Sequence, residues 1–258
     1  MYRKEVMFMA KEIILNADMG EGFGCYRLCN EAALMPYLTS VNLACGFHAG
    51  DPMVMRNSVE LAVKNGVSIG AHPGFADRQG FGRRMIQISE DELYCDLMYQ
   101  FGALDAFVKK AGGEITHVSP HGVMDPLVSE NENFARVFMD AIKDFKKDMY
   151  LVIEAGNVLA ELCEKEGLRV ASVGYPDLEY DLDGHMIITR TKELMDPQKI
   201  LKQALSMVLD NKYLSVDGKQ FPITPKVLCL HSDVPNSLEI MRVLRSGLEE
   251  VGVGVVGF

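Results

Sequence analysis

A chain of 258 residues, 48% hydrophobic and 24% charged, has ordinary globular composition and enough length to fill one large domain. Its formal net charge of −10 and pI near 5.1 oppose phosphate backbones and anionic membrane surfaces, which excludes nucleic acid and membrane as expected partners. The six cysteines (Cys25, Cys29, Cys45, Cys95, Cys163 and Cys229) form no CxxC pair, so reduced, mostly buried thiols are expected rather than a disulfide framework or a zinc ribbon.

The chain opens MYRKEVMFMAKE, basic and then apolar only from Val6 to Ala10. That stretch is shorter than the roughly 7–15 residues an export signal needs, so a cytoplasmic location is expected. A first strand is predicted over Glu12–Leu15, followed by Asn16, Asp18 and the turn Gly20-Glu21-Gly22. A second, Ser40–Ala44, leads into a loop holding His48 between Gly46 and Gly50. Asp51-Pro52 then supplies an N-cap and a first-turn proline to a helix that Gly66 ends.

A third strand, Val67–Ala71, is followed by His72 and a long loop to Arg84. Asp77, Arg78, Arg83 and Arg84, interspersed with Gly74, Gly80 and Gly82, give that loop the character of a flexible lid offering guanidinium groups to a carboxylate. Ser89 and Glu92 form a capping box, and Leu93, Leu97, Phe101, Leu104 and Val108 repeat at helical spacing until Gly112-Gly113. A fourth strand, Thr116–Val118, precedes Pro120-His121-Gly122, and the residues around Lys143–Asp148 read as a solvated helix end.

Strands five and six are predicted over Tyr150–Ile153 and Arg169–Val173, separated by a helix that carries Leu159 and Leu162 and closes at Gly167. The seventh, Val227–Leu230, is followed by His231 and Asp233. A last helix after Pro235 aligns Leu238, Met241, Leu244 or Arg245, and Leu248. The 16 methionines read as core filler, and His117 and His185 are assigned to structure.

Seven βα-like units with no linker between them predict a single domain, 1–258, built on a parallel sheet. A closed barrel and an open doubly wound sheet both satisfy that pattern. The chain has neither GxGxxG after its first strand nor GxxxxGK[ST] anywhere, so the phosphate-cradling loops that favour an open nucleotide-binding sheet are missing and the α/β barrel is preferred.

The chemically capable side chains cluster just after predicted strands: Asn16 and Asp18, His48 and Asp51, His72, His121, and His231 with Asp233. In a βα barrel those positions share one rim. A lone histidine there is more often a hydrogen-bonded structural residue, but four at equivalent positions point to a site.

The segments LNADMGEGFG, NLACGFHAGDP, GAHPGF with GFGRR, YQFGAL, HVSPHG and CLHSDVP resemble, in order and spacing, the motifs of the LamB/YcsF family, from about Ile13 to Gly252. The resemblance implies a (β/α) barrel, often seven-stranded, similar to the glycoside hydrolase and deacetylase barrels. It implies the hydrolytic part of an ATP-dependent 5-oxoprolinase, in which partner subunits use ATP to phosphorylate the lactam and this chain opens the ring with water. Carried onto this sequence, it makes Asp18, His48, His72, His121 and Asp233 candidate catalytic residues. Asn16, Glu21, Asp51, Arg83 and His231 become candidate substrate-binding residues.

Asp18 or Asp233 is expected as general base and one histidine as donor to the leaving nitrogen. Related barrels also imply that His48, His72 and His121 with Asp18 are candidates to hold a divalent metal. Ser119, Leu178 and Ser232 stand where the family pattern has lysine, arginine and glycine. The lost cations raise the expectation of a different substrate. The competing readings are a metal-dependent deacetylase or hydrolase of another lactam or carbohydrate, and a non-catalytic small-molecule binder. Homo-oligomerisation is a general expectation for such barrels.

Overall fold

Parallel strands covered on both faces are buried along their whole length, and the strands here follow that rule. A computed structural model describes residues 11–189 and 191–258; the apolar stretch Val6–Ala10 lies outside them. β1 (Glu12–Met19) is buried at every position after Glu12, and β2 (Ser40–Ala44) throughout. β3 (Ser68–His72), β4 (Ile115–Val118), β5 (Tyr150–Ile153) and β6 (Arg169–Gly174) follow, each hydrogen-bonded in parallel to the one before. The short pair β7 (Lys212–Leu214) and β8 (Gln220–Pro222) is antiparallel and stands apart. β9 (Val227–Leu230) pairs with β6 on one side and with β1 on the other, closing a seven-stranded parallel barrel.

All seven predicted strands are present. β1 runs four residues further than the sequence suggested, because its ladder with β2 continues from Asn16↔Ser40 to Met19↔Leu43. The polar Asn16 and Asp18 therefore sit within the strand, facing the barrel interior, where they had read as loop. β10 (Gly254–Val256), which sequence reading missed, pairs with the start of β1. Beyond it the Phe258 ring stacks on His117 at 4.4 Å and lies 5.1 Å from Tyr150, covering the barrel at the end where the strands begin.

The outer layer consists of α1 (Glu31–Leu34), α2 (Pro52–Asn65), α3 (Glu90–Lys110), α4 (Met124–Glu130), α5 (Glu132–Lys146), α6 (Val158–Lys165), α7 (Pro197–Leu209) and α8 (Ser237–Glu250). Their ends are written locally. The Asp51 carboxylate caps α2, the left-handed Gly66 ends it, and Ser89 with Glu92 makes the capping box of α3. The stripe Leu93, Leu97, Phe101, Leu104 and Val108 is fully buried. Burial of such a side chain contributes about 1.5–3 kcal/mol.

Inside the barrel, inward positions alternate with outward ones and divide into two lanes. Ile14, Val152, Ala171, Val173, Val227 and Cys229 make an apolar lane. Asn16, Ser40, Asn42 and His117 make a polar one, joined by hydrogen bonds. Three cysteines are buried, Cys45, Cys163 and Cys229, while Cys25 and Cys95 are exposed. The expectation of mostly buried thiols thus holds for only half of them, since Cys25 sits in a rim loop and Cys95 on the solvent face of α3. Among the described residues, no helix is long and apolar enough to cross a membrane.

Candidate active site

The polar lane leads upward to the ends of β1, β3, β4 and β9, where a pocket is lined by Asp18, Asn42, His72, Arg83, Ser119, His121, Tyr175 and His231 among others. Asp18 is its anionic centre. Asn42 Nδ2 donates to Asp18 Oδ1 at 2.9 Å, His72 Nε2 lies 3.4 Å from Oδ1, and His231 Nε2 lies 3.8 Å from Oδ2. Burial would raise the Asp18 pKa, but His72, His231 and the Asn42 amide together hold the carboxyl well below the usual carboxylate range. It is ionised at any physiological pH.

His231 is fixed from behind. Its backbone N–H donates to Asp177 Oδ2 at 2.9 Å, and its Nδ1 lies 3.1 Å from the same oxygen. Burial pushes the imidazole pKa down, yet the Asp177 carboxylate and then Asp18 outweigh that and raise it above its ordinary value. Tyr175 stacks alongside at 5.8 Å between centroids. The result is a proton-bearing ring aimed at an ionised carboxylate.

Behind this pair, Glu21, His48, His72 and His121 are all buried and present ligand atoms within 4.8 Å of one another. The His48 and His121 rings stack in parallel, 3.7 Å apart. His72 Nδ1 lies 2.7 Å from the Ser119 carbonyl and His121 Nε2 lies 2.8 Å from the Phe81 carbonyl. A carbonyl only accepts, so both of those nitrogens carry hydrogen. His72 Nε2 and His121 Nδ1 then face each other at 2.9 Å, a contact that needs a shared proton or a cation between them.

Both His48 nitrogens and Glu21 Oε1 are buried without a hydrogen-bond partner. Burial, then the charge of His72, keeps His48 neutral, while burial and the charges of Asp18 and Asp233 push Glu21 well above its usual range. Orphaned nitrogens and a strained carboxylate converging on one point are what a divalent cation satisfies, so the residues fit a metal. The carboxylate of the set is Glu21, where sequence reading had named Asp18. The left-handed Gly20 (φ +74°) bends the chain after β1, and Glu21 lies within 3.4 Å of His48 Nε2.

Other expectations change as well. Asn16 lies a layer below the pocket, its amide engaged by Ser40 and Asn42. The Asp51 carboxylate is taken up by the backbone N–H groups of Gly24, Met53 and Val54, and it does not reach the pocket. Asp233 is bound by Arg83 Nη1 at 2.8 Å. The loop from His72 to Arg84 is packed rather than lid-like. Phe75 and Asp77 are buried, Arg84 pairs with Asp77, and Arg78 Nη2 donates to the Gly46 carbonyl. Its glycines allow close approach: a Cβ on Gly74 would stand 2.5 Å from His48 Nδ1.

Sequence reading missed Asn42, Asp177, Tyr175 and Lys192. Asp177 follows the sixth strand and obeys the same strand-end rule as the histidines, so a signal existed for it. Asn42, polar in a buried strand, was a second. Lys192 carried none, because it reaches the pocket from a long connection whose path is set by tertiary packing.

The sequence profile of the LamB/YcsF family matches residues 13–258. A protein of Pyrococcus furiosus, named as the A subunit of 5-oxoprolinase, is 40% identical over 95% of this chain and 97% of its own length. One of the same name from Geobacillus thermodenitrificans is 41% identical over 95% and 96%. A crystal structure of a lactam utilization protein from Thermus thermophilus superposes with a TM-score of 0.87 at 38% identity, covering 96% of this chain and all of that one.

Proposed function

The chain belongs to the LamB/YcsF family, and on that premise we propose that it is the ring-opening subunit of an ATP-dependent 5-oxoprolinase, an enzyme that hydrolyses the lactam of 5-oxoproline to glutamate. The observation that carries this reading is the ionised Asp18 lying 3.8 Å from His231, whose own proton is secured by Asp177. It occurs in a chain about 40% identical along nearly its whole length to proteins that bear the 5-oxoprolinase name.

The roles follow from the protonation states. Asp18 takes the proton of the attacking water as its oxygen bonds to the ring carbonyl carbon. A carboxylate stabilised this strongly is a weak base, which suits an electrophile already activated by phosphorylation. As the ring C–N bond breaks, His231 gives its Nε2 proton to the leaving nitrogen, and Asp177, bonded to Nδ1, stabilises the doubly protonated ring that donates. Ring opening leaves glutamyl phosphate, and a second water releases its phosphate to give glutamate. Asn42 fixes the Asp18 carboxylate.

Glu21, His48, His72 and His121 would hold a divalent metal. When bound, it supplies Lewis-acid assistance to hydrolysis.

The ATP chemistry belongs to partner subunits, in keeping with the relatives being named as one subunit of a larger enzyme and with the missing P-loop here. A cytoplasmic site of action goes with that supply of ATP.

The test is the chain mixed with those partner subunits, ATP, magnesium and 5-oxoproline, with glutamate and ADP both measured. Coupled release of the two products, lost in Asp18→Asn, is expected. ADP without glutamate from an active partner set refutes the reading.

A further inference from the structure

The pocket holds a cation that ring opening leaves unused. Lys192 lines it together with Ser119, Tyr175, Leu178, Met186, Ile188 and His231. The other cations nearby are engaged. Arg83 Nη1 donates to Asp233 Oδ2 at 2.8 Å and to the Thr189 carbonyl at 3.1 Å, and His231 is held by Asp177. For Lys192 Nζ, no hydrogen-bond acceptor lies within reach among the described residues. Asp177, Asp233 and Asp18 are close enough to favour its charge but do not bond it.

An ammonium with unspent donors is costly to leave in a partly desolvated pocket. Burial lowers the Lys192 pKa despite the surrounding carboxylates, as expected of a charge short of direct partners. Leu178, Met186 and Ile188 add apolar lining to the same pocket. A ligand matching both features is small, has a low-polarity ring, and carries one anionic group.

We propose that Lys192 binds the carboxylate of the lactam and sets the preference for ring amides that carry an acid group over neutral lactams. The proposal rests on the ring-opening reading above. Its physical basis is asymmetric. An acid pairs the ammonium directly, whereas a carboxamide of the same shape leaves it without a direct ionic partner in a medium that screens poorly.

The test compares wild type, Lys192→Met and Lys192→Arg. Binding of 5-oxoproline and of its carboxamide to the chain alone is measured by calorimetry, and KM for the acid is measured in the complete assembly. Lys192→Met should weaken binding of the acid and raise its KM by about 10- to 100-fold, the effect of losing one charge-assisted hydrogen bond. Carboxamide binding should be unchanged, and Lys192→Arg should keep most of the preference for the acid.

Equal losses on both ligands, or none on the acid, overturn the assignment. Failure of the ring-opening reading looks different: wild type releases no glutamate although the partners consume ATP. Binding of other small lactams as acid and carboxamide pairs then decides the matter, and a wild-type chain with no preference for the acid form of any of them also overturns it.

Discussion

His72 Nε2 and His121 Nδ1 face each other at 2.9 Å, while the remaining nitrogen of each ring bonds a main-chain carbonyl. That contact needs a proton or a cation between the rings, and both His48 nitrogens and Glu21 Oε1 beside them lack a hydrogen-bond partner. The chain is therefore expected to bind a divalent cation, zinc being favoured by a three-histidine and carboxylate set. Elemental analysis should find close to one metal per chain, and metal added to chelated protein should raise Tm. Glu21→Gln should abolish that rise while stabilising the metal-free protein by about 1–2 kcal/mol, as loss of a buried acid from a functional site commonly does. A metal-free protein indifferent to added metal would contradict the site.

Asp177 should govern the pH dependence of turnover. His231 must be protonated to donate, so activity should fall as pH rises through its pKa, which Asp177 holds above the ordinary histidine value against the effect of burial. In Asp177→Asn that alkaline limb should move to lower pH, and kcat at neutral pH should drop about 10- to 100-fold. A lower kcat with an unmoved limb would assign Asp177 a purely structural part.

Two glycines should respond oppositely to alanine. At Gly74 the new Cβ would lie 2.5 Å from His48 Nδ1, so Gly74→Ala should cost about 1–3 kcal/mol and weaken metal binding. At Gly102, within α3, nothing lies within 4 Å, and Gly102→Ala should stabilise by about 0.5–1 kcal/mol. Denaturant melts of the two variants against wild type decide both.

Glu154, just after β5, has its pKa pushed up to about 8 by burial and by the nearby Asp125 charge. A carboxyl raised from 4.5 leaves stability intact below pH 4.5, where folded and unfolded states both hold the proton. Stability is then lost as pH rises through 8, because folding opposes ionisation. Glu154→Gln should therefore match wild type near pH 4 and exceed it at pH 9. Allowing for partial exposure, the gain should be about 1–2 kcal/mol. An equal gain at both pH values would point to packing instead.

The seven parallel strands, the limits of α2 and α3, and the gathering of Asp18, His72, His121 and His231 at one rim were all legible in the order of the amino acids. These are local or periodic properties: caps act within a turn, and a strand's inward positions repeat every second residue. Packing settled the rest: which carboxylate joins the histidines, that Asp51 serves the backbone and Arg84 the buried Asp77, and that the connection after β6 delivers Lys192 to the pocket. Those outcomes turn on distances between residues far apart in the chain. A carboxylate in a loop reads alike whether it meets a histidine, an arginine or a helix N-terminus, and only the packed barrel tells them apart.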